Sequence, residues 1–146
     1  MPARGVMQVM PATAQYIAAR SDLEPPHGNA LFEPETSILF GQAYLEHLLQ
    51  RPAIGDNLIY LAVAYNAGPG RVQRWRELLD SENDPLLFLE SIPMREPRVY
   101  VKKVLTNLWN YRARLGQAQP SLEALAKSRW PTYRALDRRS QVHAWN

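Results

Sequence analysis

The stretch NLIYLAVAYNAGPGRVQRW, residues 57–75, decides the fold. Its first nine residues are apolar on most sides of a helix, and such a helix usually lies at the centre of a globular domain. We therefore predict a central helix from Asn57 to Tyr65. The turn Gly68-Pro69-Gly70 cannot continue that helix, because its glycines and proline break the helical hydrogen-bond pattern. A further helix is predicted after it from the helical spacing of Val72, Trp75, Leu78 and Leu79.

The remainder of the chain shows the same helical period. Residues 21–34 hold three prolines and one glycine and are predicted as a loop. Strand signals are almost absent, so the predicted fold class is all-α. The other helices are predicted from Pro11, over Glu35–Gln50, Pro85–Glu90 and Pro97–Leu115, and over Ser121–Lys127.

Composition excludes several classes of protein. The 146 residues are 46% hydrophobic and contain no cysteine, which excludes disulfides and thiolate metal sites. No apolar run approaches the roughly 18 residues that span a bilayer, and we expect no transmembrane segment and no signal peptide in this chain. The three histidines lack metal-ligand spacing, so neither a metal nor a cofactor is expected.

Charge is divided unevenly along the chain. Residues 1–70 carry three arginines against six acids, whereas residues 71–146 carry 14 bases against eight acids. A basic half suits an anionic polymer such as nucleic acid or the peptide stems of peptidoglycan. The bases alternate with acids and apolar residues instead of clustering, and we therefore expect no nucleic-acid partner.

Four segments carry residue types that are unusual for plain helix packing. Each has a structural interpretation, as a core loop, a helix end or a charged first turn. Taken singly, each segment favours that interpretation over a functional one. The segments are GVMQVMP at residues 5–11, FEPETSI at residues 32–38, AYNAGPG at residues 64–70 and IPMREPRVYV at residues 92–101.

Together, the four segments resemble the lytic murein transglycosylases, which carry a goose-lysozyme-like SLT domain. The residues that match in order and spacing are Gly5–Ala14, Phe32–Leu49, Leu61–Trp75 and Ile92–Leu105. Ser37 stands where the family usually has Asn, and Pro97 where it has Thr. The resemblance covers roughly residues 4–111. It predicts an SLT-like domain over residues 1–115 and a partly helical C-terminal extension over residues 116–146.

The resemblance implies a lysozyme-like helical domain with a glycan-binding cleft. Members of the family cleave the β-1,4 bond between N-acetylmuramic acid and N-acetylglucosamine without adding water. One glutamic acid protonates the leaving oxygen, and the muramic acid C6 hydroxyl then attacks its own C1. The product is a 1,6-anhydro sugar. The implied partner is therefore the peptidoglycan glycan strand, and the implied location is the periplasm or cell envelope.

The family motifs assign substrate-binding roles residue by residue. Gln8 and Met10 would line the cleft beside the reacting sugars. Tyr65 and Asn66 would hydrogen-bond the N-acetyl or hydroxyl groups. Glu96 would be a secondary carboxylate that contacts substrate, and Tyr100 would place a hydroxyl near the site.

The catalytic glutamate of the family has no counterpart here. The resemblance places it about 18 residues ahead of Gln8, and the first acid in this chain is Asp22. We therefore expect the domain to be N-terminally incomplete and this chain to be inactive alone. Glu96 is not expected to replace the missing acid.

Three interpretations follow from this pattern. The first is an enzyme from which the catalytic helix is missing. The second is a non-catalytic pseudo-enzyme module that binds peptidoglycan, and the third is a helical scaffold without a carbohydrate role. Loss of a helix from a small domain should expose apolar surface, so we expect either a partner that covers the gap or marginal stability.

Overall fold

A computed structural model describes residues 2–137, and these residues form helices joined by loops. No strand is present among them, which confirms the predicted all-α class. None of the described helices combines the length and apolarity needed to cross a membrane. Residues 138–146 of the predicted extension lie outside the described part. The helices are α1 (Pro11–Ala18), α2 (Pro34–Leu49), α3 (Leu58–Ala67), α4 (Pro69–Leu78), α5 (Pro85–Ser91), α6 (Arg95–Arg114) and α7 (Pro120–Ala126), with 3₁₀ turns at Ala30–Phe32 and Arg134–Asp137.

The chain divides into two compact units, Met1–Arg51 and Pro52–Asn146. In the first unit, α1 packs against α2. The short α1 has a proline in its first turn, where a backbone N–H would have no helical partner. The core of this unit consists of Val9, Ala14, Ile17, Ala18, Leu31 and Phe40.

In the second unit, α3 is the central helix and packs against both α4 and α6. Ile59, Val63 and Ala64 are completely buried, which confirms the prediction from its all-round apolar surface. The helix runs two residues past Tyr65 and ends at Gly68, whose φ of 92° is readily adopted only by glycine.

The start of α6 differs from the prediction. The helix was predicted to begin at Pro97 but begins at Arg95. Proline is tolerated within the first turn because none of the N–H groups there has a partner inside the helix. Pro97 therefore marks the first turn of α6 and not its first residue.

Residues 130–134 form a C-terminal strap along the start of α3. The Leu58 amide donates to the Pro131 carbonyl over 2.9 Å, and the Tyr133 amide donates to the Asp56 carbonyl over 2.9 Å. The Arg134 amide donates to the Asp56 carboxylate over 3.0 Å. These bonds satisfy one of the first-turn donors of α3, which have no partner inside the helix.

Aromatic packing adds to the strap. The Trp130 ring lies 4.8 Å from the Tyr60 ring and 5.8 Å from the Phe88 ring, measured between centroids. The indole N–H of Trp130 also donates to Asn83 over 2.9 Å. Since Tyr60 belongs to α3 and Phe88 to α5, the strap joins both helices. The described part of the predicted extension is thus packed into the second unit.

We expect Asp56→Ala to lower the free energy of unfolding by about 1 kcal/mol, because the Arg134 amide loses its acceptor. Asp56→Asn keeps a side-chain oxygen and should retain most of that stability. Urea denaturation measures both, with the exposed loop residue Asp22 changed to Ala as the matched control. Equal losses for Asp56→Ala and Asp56→Asn would show that the charge matters and the hydrogen bond does not.

Candidate substrate-binding site

The segment ahead of α1 is closed into a tight loop, residues 4–9, called here the Gln8 loop. The Arg4 amide donates to the Val9 carbonyl over 2.9 Å, and the Val9 amide returns a bond of 3.0 Å to the Arg4 carbonyl. The buried Val9 side chain fixes one end of the loop in the core. Gln8 is exposed, and Met10, directly after the loop, is 47% exposed.

Gln8 has an unusual backbone conformation. Its φ is 51°, in the left-handed region that residues other than Gly, Asn and Asp rarely adopt. The side-chain nitrogen Nε2 of Gln8 donates to the Gly5 carbonyl over 2.8 Å. The side-chain oxygen Oε1 can then accept a hydrogen bond from a ligand. Backbone strain of this kind is often found at functional sites, where it holds a side chain in a set position.

Tyr65 and Asn66 lie in the last turn of α3 and are both half-buried. All residues of the helix ahead of them except Tyr60 are buried, so the backbone under these side chains is held by the core. The Gly68 amide closes the helix end by donating to the Ala64 carbonyl over 2.8 Å. The end of α3 therefore holds the Tyr65 hydroxyl and the Asn66 side-chain amide on a rigid backbone.

Glu96 and Tyr100 lie one turn apart near the start of α6, on the same face of the helix. Glu96 is exposed and Tyr100 is half-buried. The start of α6 is fastened to α5, because Arg98 donates to the Glu90 carbonyl over 3.3 Å and Lys102 forms an ion pair with the Glu90 carboxylate.

Arg71 connects these two sets of residues. It lies in the first turn of α4, just after the end of α3, and its guanidinium donates to the Met94 sulfur over 3.0 Å. Met94 occupies the N-cap position, immediately before the first residue of α6. The end of α3 that carries Asn66 and the start of α6 that carries Glu96 are therefore linked. Arg71 was not among the residues predicted to bind substrate, although its position directly after Gly-Pro-Gly was the available signal.

Burial raises the pKa of the Tyr100 phenol above its ordinary value of 10.0. At neutral pH its hydroxyl is protonated, as that of an ordinary phenol is, and it can donate a hydrogen bond as well as accept one. Within residues 2–137, no group of His, Asp and Glu side chains could hold a metal ion.

The predicted site residues fall into the two units. Gln8 and Met10 belong to the first unit, at the loop before α1. The second unit contains the other four, which are Tyr65, Asn66, Glu96 and Tyr100. The hydrogen bond from Arg71 to Met94 links the two helix ends that carry them. Each group combines a firmly held backbone with polar side chains that reach solvent.

Comparison with known proteins gives one family. The model of the transglycosylase SLT domain matches residues 2–87. The soluble lytic murein transglycosylase of Salmonella typhimurium is 42% identical over 118 residues, which are 80% of this chain and 18% of that protein. The protein of the same name from Escherichia coli K12 is 40% identical over 122 residues, 82% of this chain. This chain thus spans under a fifth of the length of these relatives.

Solved structures agree with the sequence matches. The crystal structure of the 70 kDa soluble lytic transglycosylase SLT70 from Escherichia coli superimposes with a TM-score of 0.69 and 39% identity, over 77% of this chain and 18% of that one. An inactive mutant of the lytic transglycosylase Slt from Pseudomonas aeruginosa gives a TM-score of 0.70 and 33% identity, over 80% of this chain and 18% of that one. These matches confirm the lysozyme-like helical fold.

We expect Gln8→Gly to be more stable than Gln8→Ala by about 1 kcal/mol, because only glycine relieves the cost of a left-handed φ. Both variants lose the same side-chain amide, so their difference isolates the backbone strain. Urea denaturation of the two variants gives the value. A Gln8→Ala variant as stable as Gln8→Gly would mean that the loop is unstrained.

The raised pKa of Tyr100 predicts a loss of stability at high pH. Above pH 10, the unfolded chain loses the phenolic proton while the folded chain retains it, so the free energy of unfolding falls as pH rises. Burial also raises the pKa of Tyr44 and Tyr60, which contribute in the same window. Tyr100→Phe should make the alkaline decline shallower in urea denaturation series, and an unchanged slope would contradict the prediction.

Proposed function

The chain belongs to the transglycosylase SLT domain family, and on that premise we propose that it binds the glycan strands of peptidoglycan as part of a lytic transglycosylase. The observation that carries the proposal is the left-handed Gln8 in a closed and firmly anchored loop. A strained backbone that exposes one amide side chain suits ligand recognition better than it suits stability. The named relatives are lytic murein transglycosylases, which supports the substrate class.

We propose complementary roles for the two groups of site residues. Gln8 would hydrogen-bond the reacting sugars, and the exposed Met10 side chain would pack against a sugar ring. Tyr65 and Asn66 would bind N-acetyl or hydroxyl groups. Their support is geometric, because both lie at the end of a helix whose other residues, Tyr60 apart, are buried, which fixes its position.

Glu96 and Tyr100 would contact a neighbouring part of the same strand. A hydroxyl that is protonated at neutral pH and an exposed carboxylate together offer a donor and an acceptor on one helix face. Arg71 adds a positive charge beside them and suits the carboxylates of the peptide stems. The surplus of bases over acids in residues 71–146 supports this assignment.

The proposed reaction is cleavage of the bond between N-acetylmuramic acid and N-acetylglucosamine, with closure of a 1,6-anhydro ring. An acid donates a proton to the leaving oxygen as the bond from that oxygen to C1 of the muramic acid breaks. The resulting carboxylate then takes the proton of the C6 hydroxyl as O6 forms its bond to C1. No water is consumed. Such an acid needs partial burial beside apolar groups, so that it holds its proton near neutral pH.

Glu96 does not have those surroundings. Its side chain is exposed on the first turn of α6, next to the exposed Arg95. We therefore propose that Glu96 contacts substrate without serving as the general acid, and that residues 1–146 bind glycan without cleaving it. The acid would be supplied by a helix outside these residues.

The location follows from the substrate. Peptidoglycan lies outside the cytoplasmic membrane, so we propose that the protein acts in the periplasm or cell envelope. A segment or partner that covers part of the first unit is also expected, since Val6 and Phe32 are large apolar residues that stand 67% and 57% exposed.

We expect this chain to bind purified glycan strands, and Gln8→Ala and Asn66→Ala each to weaken binding by about tenfold through the loss of one well-placed amide. Isothermal titration calorimetry measures the dissociation constants. Gln42→Ala and Asn107→Ala, at exposed positions on α2 and α6, are the matched controls and should bind normally. Absence of binding by the unchanged chain would refute the proposed function.

The same glycan strands distinguish enzyme from pseudo-enzyme. Mass spectrometry after incubation with this chain should find no 1,6-anhydro products. Fusion of a helix carrying the family's glutamate ahead of Met1 should produce them if the chain is the glycan-binding part of an enzyme. Binding that persists without any cleavage by the fusion would favour the non-catalytic module. If the chain cleaves alone, Glu96→Gln tests whether Glu96 is the acid.

A further inference from the structure

Two glycines and one buried serine hold the Gln8 loop against α2. Ser37 is completely buried, and its Oγ accepts a hydrogen bond of 3.0 Å from the Met7 amide. A Cβ on Gly5 would lie 2.0 Å from the Leu31 carbonyl oxygen and 2.5 Å from the Ser37 Oγ. A Cβ on Gly41 would lie 2.7 Å from the Cβ of Met7. The loop therefore touches α2 more closely than any larger residue at these glycines would permit.

We propose that Ser37 is a positioning residue for Gln8, which acts by holding the Met7 amide from the rigid helix α2. This inference rests on the proposed function, because Gln8 is taken to contact the glycan strand. In the sequence, Ser37 stood out only as a departure from the usual asparagine. The structure gives its hydroxyl a role next to the candidate site without contact to the substrate.

The position of Met7 in the chain makes the effect direct. Met7 immediately precedes Gln8, so its amide hydrogen bond to Ser37 fixes the backbone on one side of the left-handed residue. On the other side, the Val9 amide bonds to the Arg4 carbonyl, and the Val9 side chain is buried. Gln8 thus lies between two fastened neighbours. An unfavourable φ persists only where the surrounding structure holds it in this way.

The backbone of Ser37 is itself held in place by helix α2. It lies in the first turn of the sixteen-residue α2, and its own amide donates to the Glu33 carbonyl over 2.9 Å. Serine is common near helix starts, and its short side chain keeps the hydroxyl close to the backbone. The acceptor for Met7 is therefore held by the helix and cannot move independently.

The experiment compares two buried serines that each accept one hydrogen bond. Ser37→Ala removes the acceptor of the Met7 amide, and Ser121→Ala removes the acceptor of the Trp109 indole, which lies 3.0 Å from the Ser121 Oγ in the second unit. Both variants should lower the melting temperature of the chain. Only Ser37→Ala should weaken binding of peptide-free glycan strands, by about tenfold. Calorimetry well below each melting temperature gives the dissociation constants.

A double-mutant cycle tests whether Ser37 acts through Gln8. In the Gln8→Ala background, Ser37→Ala should cause no further loss of affinity, because the side chain that it positions is already gone. An equal loss in both backgrounds, or normal affinity in Ser37→Ala despite a lower melting temperature, would overturn the proposal. Ser37→Cys, which keeps the volume and offers only a weak acceptor, repeats the test should Ser37→Ala not fold.

Hydrogen exchange separates this proposal from the proposed function. Ser37→Ala should speed exchange of the Met7 and Gln8 amides, while Ser121→Ala should leave them unchanged. This readout requires no glycan. Faster exchange in a chain that does not bind glycan would mean that the loop anchor exists and the proposed function is wrong. Unchanged exchange at both amides would overturn the anchor itself.

Discussion

Helix α3 is apolar on almost all sides, and its burial is the main constraint on the structure of the second unit. Its side chains are buried by α4 and α6, and a backbone amide at its start is satisfied by the strap. Enclosure of this kind fixes the helix along its whole length. Tyr60 and the last turn are partly exposed, and Tyr65 and Asn66 lie on a backbone that the buried residues of the helix hold in place. The ten residues of α3 therefore supply both the centre of the hydrophobic core and two of the candidate site residues, Tyr65 and Asn66.

The first unit reaches a similar result by a different route. No long apolar helix is available there, and the exposed Gln8 is held by a short loop instead. Paired backbone hydrogen bonds, a buried hydroxyl and two close glycine contacts replace the enclosure seen around α3. The cost is an unfavourable φ at one residue, which the anchors on both sides make tolerable. Both units thus present polar side chains from backbone that packing has already fixed.

Much of the fold could be predicted because helical periodicity and helix-breaking residues are local signals. The apolar stretch after Asn57 predicted α3, and Gly68-Pro69-Gly70 predicted its end within two residues. The strap could not be predicted, since its bonds join residues that are far apart in the sequence, 78 positions in the case of Asp56 and Arg134, and follow no residue pattern. The φ of Gln8 was equally invisible, because nothing local favours it. The site residues came from resemblance to a family, and Arg71 and the contact made by Ser37 required the structure.

The strap also sets an order of events during synthesis. Residues 56–58 leave the ribosome more than 70 residues before their partners at 131–134, whereas the hydrogen bonds that hold the Gln8 loop join residues 4–37. Long-range pairing forms late, since the loop between the partners must first be closed. The start of α3 is consequently made long before the strap can cover it. A premature stop before residue 130 would leave the start of α3 without its strap.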